Sequence, residues 1–336
     1  MRLFISEYVC GGSWPNGIPA GSLRREGEAM LRAIAEDFCR IPDCVVTVSW
    51  DARLGTFPVE GVRVVSPATP AEELELLTRE SAAADAALMI APEFHDLLTS
   101  RAEAVLRNGG RLLGSDPATL RLCGDKLALS RHLGQSPEVA HLRTELLPPA
   151  DGCAAIPFPV VIKPRFGAGS TNTFLIRDAV QLDQLFSEPF DPPDLPPDIW
   201  QSYVSARPLS IAALVHGPGM FDLFPIGEQR LTDDGRFQYR GGIIPARNVD
   251  TAAVEGLVRR VIGFLPGLRG YIGFDVLVPD RAPHHPVLVE INPRLTTSYL
   301  GYRRLAKENL AARWLSSNRP KAAIDWRSIP VQFTVE

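Results

Sequence analysis

Lysine is scarce in this chain of 336 residues: of 35 basic residues, only Lys126, Lys163, Lys307 and Lys321 are lysine. Where arginine fills nearly every cationic position, a retained lysine marks a site that wants a compact point charge rather than a planar fork. That singles out Lys126 and Lys163 before any motif is considered. No run of 18 apolar residues occurs, which excludes a membrane-spanning helix. The first residues lack the basic and long apolar regions of an export signal, so a cytoplasmic protein without membrane partners is expected. A formal charge of −4 and an isoelectric point near 5.9 argue against a nucleic-acid partner gripped by phosphate neutralisation. Cys10, Cys39, Cys44, Cys123 and Cys153 are odd in number and form no CxxC pair, so they read as incidental thiols. The six histidines give neither HExxH nor a zinc spacing, and His284-His285 lies between prolines in an expected surface loop. No lysine follows a glycine, which excludes a Walker A loop, and HRD, DFG and GxSxG are all missing. Gly11, Gly12, Gly17 and Gly21 do not match GxGxxG. Asp51, at the end of the second expected strand, is only half of a dinucleotide signature.

What is present is globular: 45% apolar and 22% charged residues over 36.7 kDa, enough for two or three packed subdomains. The first third alternates short apolar strands (2–5, 44–50, 86–91) with helices (22–38, 71–83, 96–107), and 111–113 closes the unit. Ser22 is the expected N-cap of the first helix, whose Leu23, Met30, Leu31, Ile34 and Phe38 share one face. Strands separated by helices of this length imply a parallel, doubly wound sheet. From Ser115 the texture changes to two short helices (116–123, 125–133), strands over 159–163 and 172–177, and a helix over 178–186. A proline-rich surface loop is expected over 187–198. Antiparallel strands follow over 199–204, 210–216, 220–228 and 237–244, then a helix over 252–264. A strand pair (271–279, 286–292) and a last helix over 299–315 complete the chain.

Four segments carry chemistry together. In 158–170, a buried strand ends at Lys163 and turns into a loop with Gly167, Gly169 and Ser170. Such a loop can close its backbone N–H groups over phosphate oxygens, with the Lys163 ammonium set against them. An ordinary strand and turn with a solvated lysine is the plainer alternative. Lys126 opens a short helix after Asp125, and alone it reads as a surface lysine. The strand 200–204 (WQSYV) can present its backbone to a flat ring while Gln201 meets an exocyclic amine. The fourth segment is the most specific: 270–278 followed by 287–295 (VLVEINPRL). Alternation places Leu288, Glu290 and Asn292 on one face, with Asp275 on the neighbouring strand. Three hard oxygen donors on an apolar hairpin are costly to bury unpaired, and magnesium shared with nucleotide phosphates resolves that cost. Arg294 follows directly and can stabilise a transferring phosphoryl group.

In this order and spacing, Asp125-Lys126, KPxxGAGS at 163–170, the strand at 201–204 and GxDxxx…EINPR from Gly273 to Arg294 resemble the ATP-grasp ligases. The resemblance spans about 115–310 and implies an α/β protein. A Rossmann-like N-terminal domain (1–114) would precede a small ATP-grasp lobe with the phosphate-binding loop (115–203) and a C-terminal lobe with the metal site (204–336). It further implies ATP and Mg2+, or Mn2+ in its place. Lys126, Lys163, Gly167, Gly169 and Ser170 would lie on the phosphates, and Gln201, Tyr203 and Val204 at the adenine. Asp275, Glu290 and Asn292 would hold the metal, with Arg294, Lys163 and Arg240 as catalytic candidates. The chain departs from many members in lacking an acidic hinge residue, and in carrying Gly273 where an arginine is common. That leaves the ribose contact and one phosphate contact to Arg294 or Arg240. More narrowly, Ser6-Glu7-Tyr8-Val9 with its glycines, the helix over 25–31, YRGGIIP at 239–245 and Thr296-Thr297-Ser298 look like the tyramine–glutamate ligases. Those form γ-glutamyltyramine for methanofuran-type one-carbon carriers.

The expected activity is therefore an ATP-dependent joining of a small-molecule carboxylate to an amine through an acyl phosphate. The narrow form joins the γ-carboxylate of glutamate to tyramine or a similar amine. A phosphotransferase on the same scaffold and a non-catalytic nucleotide-binding module are the alternatives. Homo-oligomerisation is left open.

Overall fold

The computed structural model describes residues 1–15, 17–147, 156–187, 189–191, 196–316 and 322–334. The chain starts with β1 (Arg2–Glu7), α1 (Gly21–Cys39), β2 (Val45–Ser49), β3 (Arg63–Val65), α2 (Pro70–Ala83), β4 (Ala86–Ile90) and α3 (Leu97–Arg107). Its strands pair in parallel in the order β3-β2-β1-β4. Helices cover both faces, which is why β4 reads as an unbroken apolar run and β1 is buried from Leu3 onward. Ser22 does not cap α1. The helix opens at Gly21, whose φ of 75° turns the chain into it, and the preceding Ala20 offers no side-chain bond. Asp51 is paired with Arg53, its Oδ2 accepting from Nη2 at 2.6 Å, so the dinucleotide half-match has a local explanation.

Next come α4 (Pro117–Gly124), α5 (Lys126–Leu133), β5 (Thr144–Leu146), β6 (Val160–Lys163), β7 (Phe174–Ile176), α6 (Ala179–Phe186) and β8 (Ile199–Ser202). Both short helices are opened by aspartates: Asp116 accepts from the Thr119 amide at 2.9 Å, and Asp125 from the Leu127 and Ala128 amides at 3.1 and 3.0 Å. The strands form an antiparallel sheet in the order β5-β8-β6-β7.

The remainder is β9 (Ala206–Gly217), β10 (Met220–Leu223), β11 (Gly227–Leu231), β12 (Tyr239–Ile244), α7 (Thr251–Phe264), β13 (Gly270–Pro279), β14 (Val287–Asn292), α8 (Tyr299–Leu305), α9 (Leu310–Leu315) and β15 (Val331–Phe333). The larger antiparallel sheet runs β14-β13-β9-β11-β12-β15, with β10 paired to β9. The strand expected over 220–228 is two strands, because Pro225 has no N–H to continue a ladder. The single helix expected over 299–315 is also two. The chain leaves α8 after Leu305, and the Asn309 side chain caps α9, accepting from the Ala311 amide at 2.9 Å. β3, β5 and β15 are three residues each and too short to show a period. Cys153 and five residues of the proline-rich stretch (188 and 192–195) lie outside the described residues.

The large sheet has helices behind one face: Ile211, Ile272, Phe274 and Ile291 pack with Leu257 and Val261 of α7. Its other face joins Leu214 and Tyr271 to α8, α9 and the N-terminal sheet in one continuous core. The N-terminal unit is therefore welded to the C-terminal helices. A polar clasp reinforces the weld: the buried Asp37 of α1 accepts from the Tyr299 hydroxyl at 2.8 Å and from Arg303 Nε and Nη2 at 2.9 and 2.7 Å. Asp37→Ala strands both donors and is expected to cost about 2–3 kcal/mol. The readout is a lower denaturant midpoint with an unchanged slope. Among the described residues no helix is long and apolar enough to cross a membrane.

Candidate active site

A cavity of about 680 Å³ opens between the β5-β8-β6-β7 sheet and the large sheet. On its upper side β6 delivers Lys163, buried, with Nζ donating to Gln201 Oε1 at 2.9 Å; Gln201 Nε2 in turn donates to Thr144 Oγ1 at 2.9 Å. In this structure the Gln201 side chain thus bridges Lys163 and Thr144 on the cavity wall, rather than standing unengaged toward a nucleotide base. The signal missed was simply position: Gln201 faces Val161, beside Lys163, in the ladder between β8 and β6. Lys126, the first residue of α5, donates from Nζ to the Gly167 carbonyl at 2.7 Å. Arg165 clasps Asp125, with Nε on Oδ1 at 2.7 Å and Nη2 on Oδ2, so the glycine loop is anchored to the start of α5. Gly169 has a φ of 66°, which glycine tolerates without strain, and Ser170 ties the loop to the large lobe by donating to the Phe237 carbonyl at 2.7 Å. Tyr203 and Val204 line the same cavity at its edge, where β8 gives way to β9.

Burial pushes the Lys163 ammonium down to about 8, against the pull of Glu290. Its charge is therefore present at neutral pH and lost above about 8, so a phosphate ligand at high pH must recruit a proton to it. ADP affinity is expected to fall up to about tenfold per pH unit above 8. In Lys163→Met, titration by calorimetry should find weaker binding without that slope.

The floor of the cavity is the β13–β14 pair. Alternation along β13 sends Ile272, Phe274 and Val276 to the core and Tyr271, Gly273 and Asp275 to the other side. Asp275 lies opposite Glu290 and Gly273 opposite Asn292. The expected alternation along β14 is broken, however. Asp275 pairs with Glu290 but Val276 with Leu288, so Val289 is an extra residue. This bulge turns Leu288 into the core while Glu290 and Asn292 face the cavity. Gln229 Nε2 and Asn292 Nδ2 donate to Asp275 at 2.7 and 3.0 Å. Burial and the Glu290 charge push the Asp275 carboxyl well up. Burial also opposes the Glu290 charge, but Lys126 and Lys163 outweigh it and hold that carboxyl below its usual range. Among the described residues no group of three or more His, Cys, Asp or Glu is arranged to hold a metal ion by itself. Two facing carboxylates and one amide oxygen fit a small hard cation whose remaining ligands are phosphate and water, as Mg2+ prefers.

Arg294 lines the cavity beyond Asn292, but it is not free. Its Nε and Nη2 donate to both oxygens of Glu93 at 2.7 and 2.8 Å. Glu93 follows β4 in the N-terminal unit, so sequence spacing could not pair the two. Arg240 is not brought to the site. It follows Tyr239 on β12, and alternation exposes it on the opposite side, where Nη2 donates to Gln238 at 3.1 Å. Thr296, Thr297, Ser298, Tyr239 and Glu26 line the end of the cavity near Arg294.

The geometry has counterparts among known proteins. The chain matches the ATP-grasp domain family over residues 123–298, just over half its length, and a pre-ATP-grasp domain family over 44–120. It belongs to the ATP-grasp family and is an ATP-dependent ligase by class. A tyramine–L-glutamate ligase of Methanocaldococcus fervens is 22% identical over 342 residues, spanning all of this chain and 99% of that one. Among solved structures, an ATP-grasp superfamily protein from Archaeoglobus fulgidus superposes with a TM-score of 0.70 at 23% identity, over 96% of this chain and 90% of that one. The L-amino acid ligase of Bacillus licheniformis gives 0.68 at 14% identity, over 92% and 72%. The ADP complex of Staphylococcus aureus N5-carboxyaminoimidazole synthetase gives 0.71 at 13%, over 97% and 79%. At these identities the structural likenesses speak to fold alone.

Proposed function

We propose that this protein joins the γ-carboxylate of glutamate to tyramine or a similar primary amine, using ATP. The observation that carries the proposal is the convergence of Lys126, Lys163, Asp275, Glu290 and Asn292 on one cavity between two lobes. The full-length likeness to a tyramine–L-glutamate ligase supports the substrates. The division into 1–114, 115–203 and 204–336 belongs to the same proposal and is supported by the three sheets.

Adenine lies against the backbone of Tyr203 and Val204. The glycine loop (Gly167, Gly169, Ser170) covers the phosphates, with Lys126 and Lys163 supplying charge. Asp275, Glu290 and Asn292 would hold Mg2+, which would neutralise the phosphate charge. A carboxylate oxygen, steered by Arg294, forms a bond to the γ-phosphorus as the bond to the β-phosphate oxygen breaks, giving ADP and an acyl phosphate. An amine nitrogen then bonds to the acyl carbon, and phosphate departs with the electron pair of the broken C–O bond. The chain's own contribution is positioning and charge, since the transfer needs little covalent work from the protein. ADP and phosphate released only when glutamate and tyramine are both present, with a γ-glutamyl amide identified by mass spectrometry, is the expected outcome. A stable phosphate ester in place of the amide would refute the proposal.

A further inference from the structure

Helix α1 carries a carboxylate into the cavity that no step above uses. Glu26 lies three residues after Leu23 and four before Met30, on the stripe that otherwise packs into the protein. Here α1 meets the active site: the Leu23 side chain lies 3.6 Å from where a Cβ would stand on Gly169 of the glycine loop. Among the described residues Glu26 makes no hydrogen bond and no ion pair, although it is near enough to Arg294 and Tyr239 for electrostatic interaction. Arg294 does not neutralise it, because Glu93 already holds that guanidinium with two hydrogen bonds. Burial raises the Glu26 carboxyl above its usual range, against the pull of Arg294 and Arg25. A half-buried carboxylate with no hydrogen bond or ion pair among the described residues is costly and favours a nearby cation. A single carboxylate is a poor divalent-metal site, whereas an ammonium group needs only one such counter-charge.

We propose that Glu26 is a catalytic residue that binds the ammonium of the acceptor amine and takes a proton from it. The proposal rests on the ligase reading above. One proton passes from R–NH3+ to the Glu26 carboxylate, leaving a neutral amine and a carboxylic acid. The nitrogen lone pair then forms the C–N bond, the acyl C–O bond breaks, and phosphate leaves with its electron pair and takes the second nitrogen proton. Glu26 returns its proton to water. The N-terminal unit thereby supplies acceptor recognition, while the two lobes supply the nucleotide site.

The test sets two acceptors against each other in the full-length protein with Mg·ATP and L-glutamate: tyramine, which arrives as an ammonium, and hydroxylamine, which is uncharged at neutral pH and traps the acyl phosphate as a hydroxamate. Glu26→Gln should lower the ratio of amide to hydroxamate about 100-fold. Glu26→Asp keeps the charge and should restore part of that ratio. If both products fall together, or neither falls, the proposal is overturned while the ligase reading stands. A change confined to the KM for L-glutamate in the hydroxamate assay would place Glu26 on the donor's own ammonium and also overturn it. Absence of any hydroxamate from the parent protein would overturn the glutamate-ligase reading and this proposal with it.

Discussion

Glu290→Gln is expected to lower ADP formation by about 1,000-fold while leaving the protein folded. Glu290 faces Asp275 across the β13–β14 pair, and the two carboxyls share one half-buried patch on the cavity floor. Glutamine keeps the shape and an oxygen but removes the charge that a small dication needs. Stability should change by less than about 1 kcal/mol, since losing the attraction to Lys126 and Lys163 is offset by relief of repulsion against Asp275. Steady-state ADP release and a denaturation curve check both halves. Turnover near the parent rate would remove Glu290 from the metal site.

Glu93→Gln is expected to cost about 3 kcal/mol of stability, because it leaves the Arg294 guanidinium in a buried place with its counter-charge gone. Glu93 positions Arg294 rather than touching substrate, so kcat/KM should fall about 100-fold through a misplaced guanidinium. Glu93→Asp, which keeps the charge but shortens the reach, should recover part of the activity. A variant that loses stability yet keeps full kcat/KM would make the pair a structural weld only.

Much of the architecture was legible because its signals are local. Lys163 ends an apolar strand beside glycines, and Asp275, Glu290 and Asn292 interrupt an apolar hairpin at positions a sheet puts near one another. Both survive folding with the expected neighbours. The misses have physical causes. The Val289 bulge is one residue long and leaves no mark on composition, yet it decides that Leu288 is core and Glu290 is not. Gln201 reads as facing an exocyclic amine, and its bond to Lys163 shows only when β6 is seen beside it. Arg240 and Tyr239 differ by one position, and in a strand that is the difference between solvent and cavity. Glu93 and Arg294 stand 201 residues apart, and nothing local pairs them. Glu26 did leave a trace, a charge on the apolar stripe of α1, but a trace of that kind acquires meaning only when the helix is packed against the glycine loop.

The most direct test of the central claim follows oxygen. With L-glutamate carrying 18O in its γ-carboxylate, Mg·ATP and tyramine, an acyl phosphate requires one labelled oxygen per turnover to appear in the released inorganic phosphate. Mass spectrometry of that phosphate should find the label in equal amount to the amide formed. Unlabelled phosphate accompanying amide formation would contradict carboxylate phosphorylation and the mechanism built on it.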